Sequence, residues 1–147
     1  MVTRERKDKL AFAARISQKL NGPSEAIVGF HALLIEEVRR SGPKNALDDL
    51  QKIGVAAANL SRMVEMLGTG ARQISTDDDA QAKLRHDLRS PINAILGYSE
   101  MVLEDFETEM QPSVLRDINA ILTEAAKVCD EVLAPLQRNG DLTPAVL

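Results

Sequence analysis

Apolar residues recur at spacings of three, four and seven along most of this chain of 147 residues. Positions three and four apart share one face of an α-helix, so each run predicts an amphipathic helix with one apolar stripe. Two stripes in the second half are the clearest: Leu84, Leu88, Ile92, Ile95, Val102 and Phe106, then Leu115, Ile118, Ile121, Leu122, Ala125, Val128 and Val132. β-branched and aromatic runs of alternating polarity are absent, which favours packed helices over a β-sandwich.

Helix-breaking residues divide these stripes into segments. They stand at Ser41-Gly42-Pro43, Gly68-Thr69-Gly70, Gln111-Pro112-Ser113 and Asn139-Gly140-Asp141. Three aspartates at 77–79 predict the start of the third helix, because carboxylates are favourable at a helix N-terminus.

The two halves of the chain align without a gap when the sequence is shifted by 68 positions. Residues 23–30 then fall on residues 91–98 with Pro, Ala, Gly and an aromatic residue all matched, and the apolar stripes coincide. We infer a tandem repeat of two helical hairpins. One hairpin cannot bury both of its stripes, whereas two hairpins can form a four-helix bundle.

The predicted fold is therefore all-α, with two antiparallel helical hairpins closing a four-helix bundle within one chain as a pseudo-dimer. Pairing of like hairpins from two chains remains the alternative. The predicted organisation is a first hairpin at 1–68, a linker at 69–79, a second hairpin at 80–138 and a tail at 139–147.

Charge and cysteine content narrow the class of protein. The net charge of −4, with no cluster of Lys and Arg, argues against nucleic-acid binding. The single Cys129 has no partner for an internal disulfide and stands at a packing position, which is compatible with a reducing compartment. No apolar run approaches the roughly 18–20 residues that span a bilayer. We therefore expect a cytoplasmic protein, or a cytoplasmic piece of one, without a membrane segment.

The stretch Leu84–Glu100 combines a reactive side chain with a fixed local pattern. His86 is followed by the acid Asp87, two further residues, the small polar Ser90 and then Pro91. This order, continued by an apolar-periodic helix, resembles the H-box of the dimerisation and histidine phosphotransfer (DHp/HisKA) domain of bacterial sensor histidine kinases. The resemblance covers the second hairpin and extends through the repeat, more weakly, to the first.

Helix geometry and imidazole chemistry agree with this resemblance. An α-helix advances about 100° per residue, so His86 lies away from the stripe marked by Leu84 and Leu88 and faces solvent. An imidazole, with a reference pKa of about 6.5, is a good neutral nucleophile near pH 7. The resemblance implies that His86 is the phosphoacceptor and that Asp87 acts as its acid/base or orienting partner.

The resemblance also implies roles for residues after His86. Ser90, four residues on and on the same face, would position water for a phosphatase reaction, although Thr or Asn is more usual in the family. Pro91 predicts a bend just after the acceptor. A response-regulator receiver domain would dock around Ser90, Asn93 and Ala94 with neighbouring positions of the fourth helix. We expect Gly97 to permit close helix approach.

The first hairpin has lost the chemistry. Gln18, Lys19 and Gly22 stand where the second hairpin has His86, Asp87 and Ser90, and Gln cannot accept a phosphoryl group. This indicates one acceptor per bundle. The other histidine, His31, falls on the inner stripe, where we expect a satisfied core or flanking histidine and not a second acceptor.

No ATP-binding motif accompanies the H-box. Gly68-Thr69-Gly70 neither follows a strand nor opens a helix of a βαβ unit, so it is not a phosphate loop. We expect no cofactor in this chain, with ATP and Mg²⁺ entering only through a separate or fused kinase domain. The predicted function is phosphotransfer between His86 and a response-regulator aspartate. A fragment of a larger histidine kinase or receiver-cyclase protein, and a non-catalytic dimerisation or docking scaffold, remain alternatives, as do a monomeric pseudo-dimer and a homodimer.

Overall fold

The computed structural model describes residues 4–72 and 77–136, apart from the side chain of residue 5. Four helices account for most of them: α1 (Arg4–Ser41), α2 (Leu47–Thr69), α3 (Asp78–Phe106) and α4 (Pro112–Val128). Single 3₁₀ turns at Lys44–Ala46 and Glu107–Glu109 lead from α1 into α2 and out of α3. The described residues contain no strand, and the all-α prediction is confirmed. The predicted tail at 139–147 lies outside the described residues.

The four helices form one bundle within the chain. α1 packs against α2 and α4, and α3 packs against the same two helices, so each helix has two neighbours. The apolar stripes meet in a single core of aliphatic side chains, and most of its members are completely buried. The predicted intrachain four-helix bundle is therefore confirmed. A four-helix bundle buries both apolar stripes of each hairpin at once.

Burial follows the same offset of 68 positions as the sequence match. Seven pairs of equivalent positions are fully buried in both hairpins: Leu20 and Leu88, Ile27 and Ile95, Leu34 and Val102, Ala46 and Val114, Leu50 and Ile118, Ile53 and Ile121, and Leu60 and Val128. The pairs run through all four helices, so the two hairpins present equivalent faces to the shared core.

The helices end where the local sequence predicts. Asp77 is the N-cap of α3, and its carboxylate accepts a hydrogen bond of 2.8 Å from the backbone N–H of Ala80. Gly42 and Gly70 follow α1 and α2 with φ of 79° and 81°, a conformation that L-residues with a Cβ rarely adopt. Pro112 stands at the first turn of α4, where its missing N–H costs no hydrogen bond.

Close helix approach occurs at Gly54 and not at Gly97. A Cβ added to Gly54 would lie 2.5 Å from Cε1 of His31, so the histidine ring fills the space beside α2. A Cβ at Gly97 would meet nothing within 4 Å. The expectation for Gly97 was wrong, because this position lies on the outer face of α3 and not between helices. α3 continues through Pro91 as one helix, and the bend at that residue stays a prediction.

The C-terminal end of α4 widens into a π-helical turn at Cys129–Leu133. The N–H of Ala134 donates to the carbonyl of Cys129 five residues earlier, and Pro135 follows without an N–H of its own. Burial, with the nearby charge of Asp130, raises the pKa of the Cys129 thiol against the lowering effect of Arg89. The thiol therefore stays protonated and packs against the core, as the sequence predicts.

None of the described helices has the length and apolar character that crossing a membrane requires.

Candidate functional site

His86 lies on the outer face of α3, near the end where α2 finishes. Its side chain is exposed, whereas Leu84 and Leu88 on either side of it are completely buried. This is the orientation that helix geometry predicts. A partner protein can therefore reach the imidazole without any rearrangement of the bundle.

Asp87 is held by two cations. Its Oδ2 atom lies 2.5 Å from Nη2 of Arg72 and 3.6 Å from Nζ of Lys83. The Asp87 and Arg72 side chains are 26% and 23% exposed, whereas Lys83 is 73% exposed. The ion pair with Arg72 is therefore the shorter and better protected of the two.

These contacts set the proton affinity of the carboxylate. Partial burial on its own raises the pKa of Asp87, but the hydrogen bond and charge of Arg72, together with Lys83, outweigh it and hold the pKa below its usual value. A carboxylate of this kind stays ionised near neutral pH and accepts a proton poorly. The role of Asp87 as acid/base or orienting partner of His86 stays a prediction.

Sequence reasoning missed Arg72, which lies in the connection between the hairpins. Its backbone N–H donates to the carbonyl of Met66, at 3.0 Å, in the last turns of α2. Gly70, with its positive φ, turns the chain back so that this bond can form. The signal in the sequence was a single arginine two residues after a helix-ending glycine, which is too common to identify a site without the contact itself.

Ser90 borders a groove of about 570 Å³ between α2 and α3. Its hydroxyl is exposed, one helical turn after His86. The groove is lined from α2 by Asp48, Gln51, Lys52, Val55, Ala56 and Asn59, and from α3 by Ser90, Pro91, Ala94 and Tyr98.

The groove combines apolar and polar surface. Val55 is 63% exposed in its wall. Tyr98 is half-buried, and the ammonium of Lys52 lies 5.3 Å from the centre of its ring, a cation–π contact. Polar side chains surround this apolar surface, as is typical of sites that bind other proteins.

The groove agrees only partly with the docking surface predicted from the sequence. Ser90 and Ala94 line it, whereas Asn93 is exposed beside it in the same row as His86. The opposite wall belongs to α2 of the first hairpin and not to α4, the helix expected to contribute. Sequence alone did not reveal this, because the pairing of helices across the bundle depends on how the two hairpins meet.

His31 is a partly buried histidine that flanks the core. Its Nε2 atom lies 2.7 Å from the carbonyl oxygen of Leu50, and Gly54 leaves room for the ring. The position equivalent to His86 in the first hairpin, Gln18, is exposed like His86 but carries an amide. Of the two histidines, His86 is exposed and His31 is partly buried.

Residues 4–72 and 77–136 contain no group of three or more His, Cys, Asp or Glu side chains with the spacing of a metal site.

The lowered pKa of Asp87 predicts a pH-dependent contribution to stability. A carboxylate with a depressed pKa stabilises the fold above its unfolded value of 3.8, and this stabilisation is lost as the pH falls through the folded value. Asp87→Asn should therefore lower the free energy of unfolding at neutral pH, by an amount that is constant above about pH 5 and disappears at lower pH. Urea titrations at several pH values measure this difference.

Asp105→Asn, at an exposed position in the last turn of the same helix, is the matched control and should not lose stability over this range. A difference between Asp87→Asn and the parent that persists unchanged to pH 2 would contradict the assignment of the ion pair.

Comparison with known proteins agrees with the geometry of the second hairpin. Residues 78–137 match the family described as His Kinase A (phospho-acceptor) domain. The chain is also 26% identical over 113 residues to the aerobic respiration control sensor protein ArcB homolog of Haemophilus influenzae. The aligned stretch covers 73% of this chain and 34% of that relative, so the chain spans about a third of the relative's length. No solved structure matches the chain.

The family match contains His86, Asp87 and the α3 wall of the groove, and it leaves the first hairpin outside. Together with the relative, it supports two-component histidine phosphotransfer signalling as the class of function, with residues 78–137 as a phosphoacceptor domain of the His Kinase A type.

Proposed function

We propose that this chain is a phosphotransfer module in which His86 exchanges a phosphoryl group with the aspartate of a response-regulator receiver domain. The observation that carries the proposal is the exposed imidazole on α3, beside an ion-paired Asp87 and one turn above a partly apolar groove. A nucleophile, a fixed counter-charge and a surface for a protein partner thus lie within two turns of one helix.

The transfer needs only the imidazole and the donor. A ring nitrogen of neutral His86 attacks the phosphorus of the receiver's aspartyl phosphate with its lone pair. The P–N bond forms as the P–O bond to the receiver's aspartate breaks, and the carboxylate leaves with the bonding electrons. The resulting imidazolium loses the proton of its other ring nitrogen to solvent, and the reverse sequence returns the group to a receiver.

Asp87 and Ser90 assist this chemistry in different ways. Asp87, kept ionised by Arg72, stabilises positive charge that develops on the imidazole during attack. Ser90 lies at the border of the groove and is exposed to an incoming partner. Its hydroxyl can orient a water molecule for attack on a receiver's aspartyl phosphate. Pro91 is buried at the floor of the groove and maintains the wall below the acceptor.

The chain is a tandem repeat in which the first hairpin, at 1–68, has kept the shape and lost the acceptor. The paired burial of positions 68 apart supports this, as does the alignment of Pro23 with Pro91 in equivalent helices. The first hairpin is followed by a linker at 69–79, the second hairpin at 80–138 and a tail at 139–147. The pseudo-dimer therefore works as a monomer with one acceptor.

The receiver domain docks in the groove between α2 and α3, so the first hairpin contributes to partner binding. The positions equivalent to the groove on the other side of the bundle, between α1 and α4, differ in chemistry. Thr123 stands where the groove has Val55, and Glu124 where it has Ala56. At these two positions the α2 wall beside His86 is apolar and the equivalent surface of α4 is polar.

The phosphoryl group of His86 derives ultimately from a separate or fused ATP-binding kinase domain, which also supplies Mg²⁺, or from another phosphorylated receiver. The competing function is a docking scaffold without phosphotransfer. The exposed position of the imidazole favours phosphotransfer, since a scaffold has no requirement for it.

His86→Gln should abolish phosphorylation of the chain. Incubation with a phosphorylated receiver domain, or with a histidine kinase core and ATP, should give acid-labile, base-stable label on the parent protein. The label should be absent from His86→Gln because an amide nitrogen is not nucleophilic. Autoradiography after acid and base treatment measures it.

Gln18→Ala, at the equivalent exposed position of the first hairpin, is the matched control and should be labelled like the parent. The phosphotransfer function fails if no label reaches the parent from donors that label other phosphoacceptor domains. It also fails if His86→Gln is labelled as strongly as the parent.

Val55→Asp should slow transfer between His86 and a receiver domain that labels the parent, by about tenfold, because it places a charge in the apolar wall of the docking surface. Transfer rates measured at increasing receiver concentration should show this loss mainly as a higher half-saturating concentration of the receiver.

Thr123→Asp makes the same change at the equivalent exposed position of α4 and should transfer normally. Equal effects of the two variants would contradict docking between α2 and α3.

A further inference from the structure

Asp87 presents an electrostatic problem for the reaction at the neighbouring residue. The incoming phosphoryl group carries negative charge, and the carboxylate next to His86 is ionised. Like charges repel, and the repulsion is stronger where side chains are partly shielded from water, as that of Asp87 is. A cation beside Asp87 would offset this charge and so favour the approach of the phosphoryl group.

We propose that Arg72 is a positioning residue for phosphotransfer: it pairs with Asp87, fixes the carboxylate beside the acceptor and cancels its charge toward the phosphoryl group. This inference rests on the function proposed above and assigns a role in it to the connection between the two hairpins.

Arg72 is better suited to this role than Lys83. Its guanidinium contacts Asp87 at 2.5 Å, with both side chains about three-quarters shielded, whereas the Lys83 ammonium is 3.6 Å away and mostly in solvent. A short hydrogen bond between charged groups is stronger than an exposed ion pair of the same charges. Arg72 therefore dominates the neutralisation of Asp87.

The backbone holds Arg72 in place independently of the ion pair. Its N–H bonds to the carbonyl of Met66, and Gly70 makes the turn that brings the chain back from α2. The guanidinium is thus fixed to the end of the first hairpin, and its pairing with Asp87 joins that end to the acceptor helix of the second.

Asp87 lies about one turn before the residues of α3 that line the docking groove. It precedes Pro91, Ala94 and Tyr98 by four, seven and eleven residues, so all four lie on the side of α3 that faces α2. A receiver domain that occupies the groove would meet the Arg72–Asp87 pair at its upper end. The pair therefore lies at the end of the groove that is nearer to His86.

The test uses phosphoramidate, a small phosphodonor that needs no docking surface, on the full chain. The rate of His86 phosphorylation, followed by ³¹P NMR, is compared for the parent, Arg72→Gln, Arg72→Lys, Asp87→Asn and the double variant Arg72→Gln/Asp87→Asn. Arg62→Gln, an exposed arginine of α2, is the control. Far-UV circular dichroism establishes that each variant is folded.

Arg72→Gln should slow phosphorylation about fivefold, the effect of one partly exposed ion pair, and Arg72→Lys should recover part of the rate. In the Asp87→Asn background, Arg72→Gln should have no further effect, because no charge remains to be cancelled. Carboxyl ¹³C NMR should show the pKa of Asp87 rising toward its usual value in Arg72→Gln only.

The inference is overturned if Arg72→Gln is phosphorylated as fast as the parent. It is also overturned if Arg72→Gln slows phosphorylation by the same factor whether residue 87 is Asp or Asn, because a purely structural role of Arg72 predicts that result. Failure of the proposed function has a different signature. In that case phosphoramidate would phosphorylate free imidazole but not His86 of the parent, and both proposals would fall.

Discussion

The bundle depends on one constraint: an amphipathic hairpin cannot bury both of its apolar stripes alone. In this chain the partner of each hairpin is the other hairpin, and the stripes of all four helices meet in one core. This packing determines which face of each helix points to solvent. His86 faces solvent because Leu84 and Leu88 face inward, and the groove exists because α2 and α3 pack side by side with Val55 left on their outer surface.

A second consequence of closure within one chain is that the two halves need not be alike. In a symmetric pair of hairpins, any change at the acceptor position appears twice. At the offset of 68 positions, Gln18 corresponds to His86, and Thr123 corresponds to Val55. The first hairpin completes the core and supplies the α2 wall of the groove, and the connection that follows it supplies Arg72.

Much of this could be predicted from the sequence, since periodicity reports the inner face of a helix directly. The helices, their ends at Gly42 and Gly70, the cap at Asp77 and the outward orientation of His86 all depend on local patterns, and the structure agrees with them. The pairing of α2 with α3 could not be predicted, because two hairpins can meet in more than one arrangement. For the same reason the ion pair of Arg72 with Asp87 was missed, and Gly97 was wrongly expected at a helix contact. These features depend on distances between segments that are remote in sequence.

In our interpretation a single chain closes the bundle and presents one phosphoacceptor. Native mass spectrometry of the chain after exhaustive phosphorylation measures both properties at once. We expect the mass of one chain with one added phosphoryl group, at every protein concentration that the method permits. A species of two chains that persists on dilution, or one chain carrying two phosphoryl groups on histidine, would contradict it.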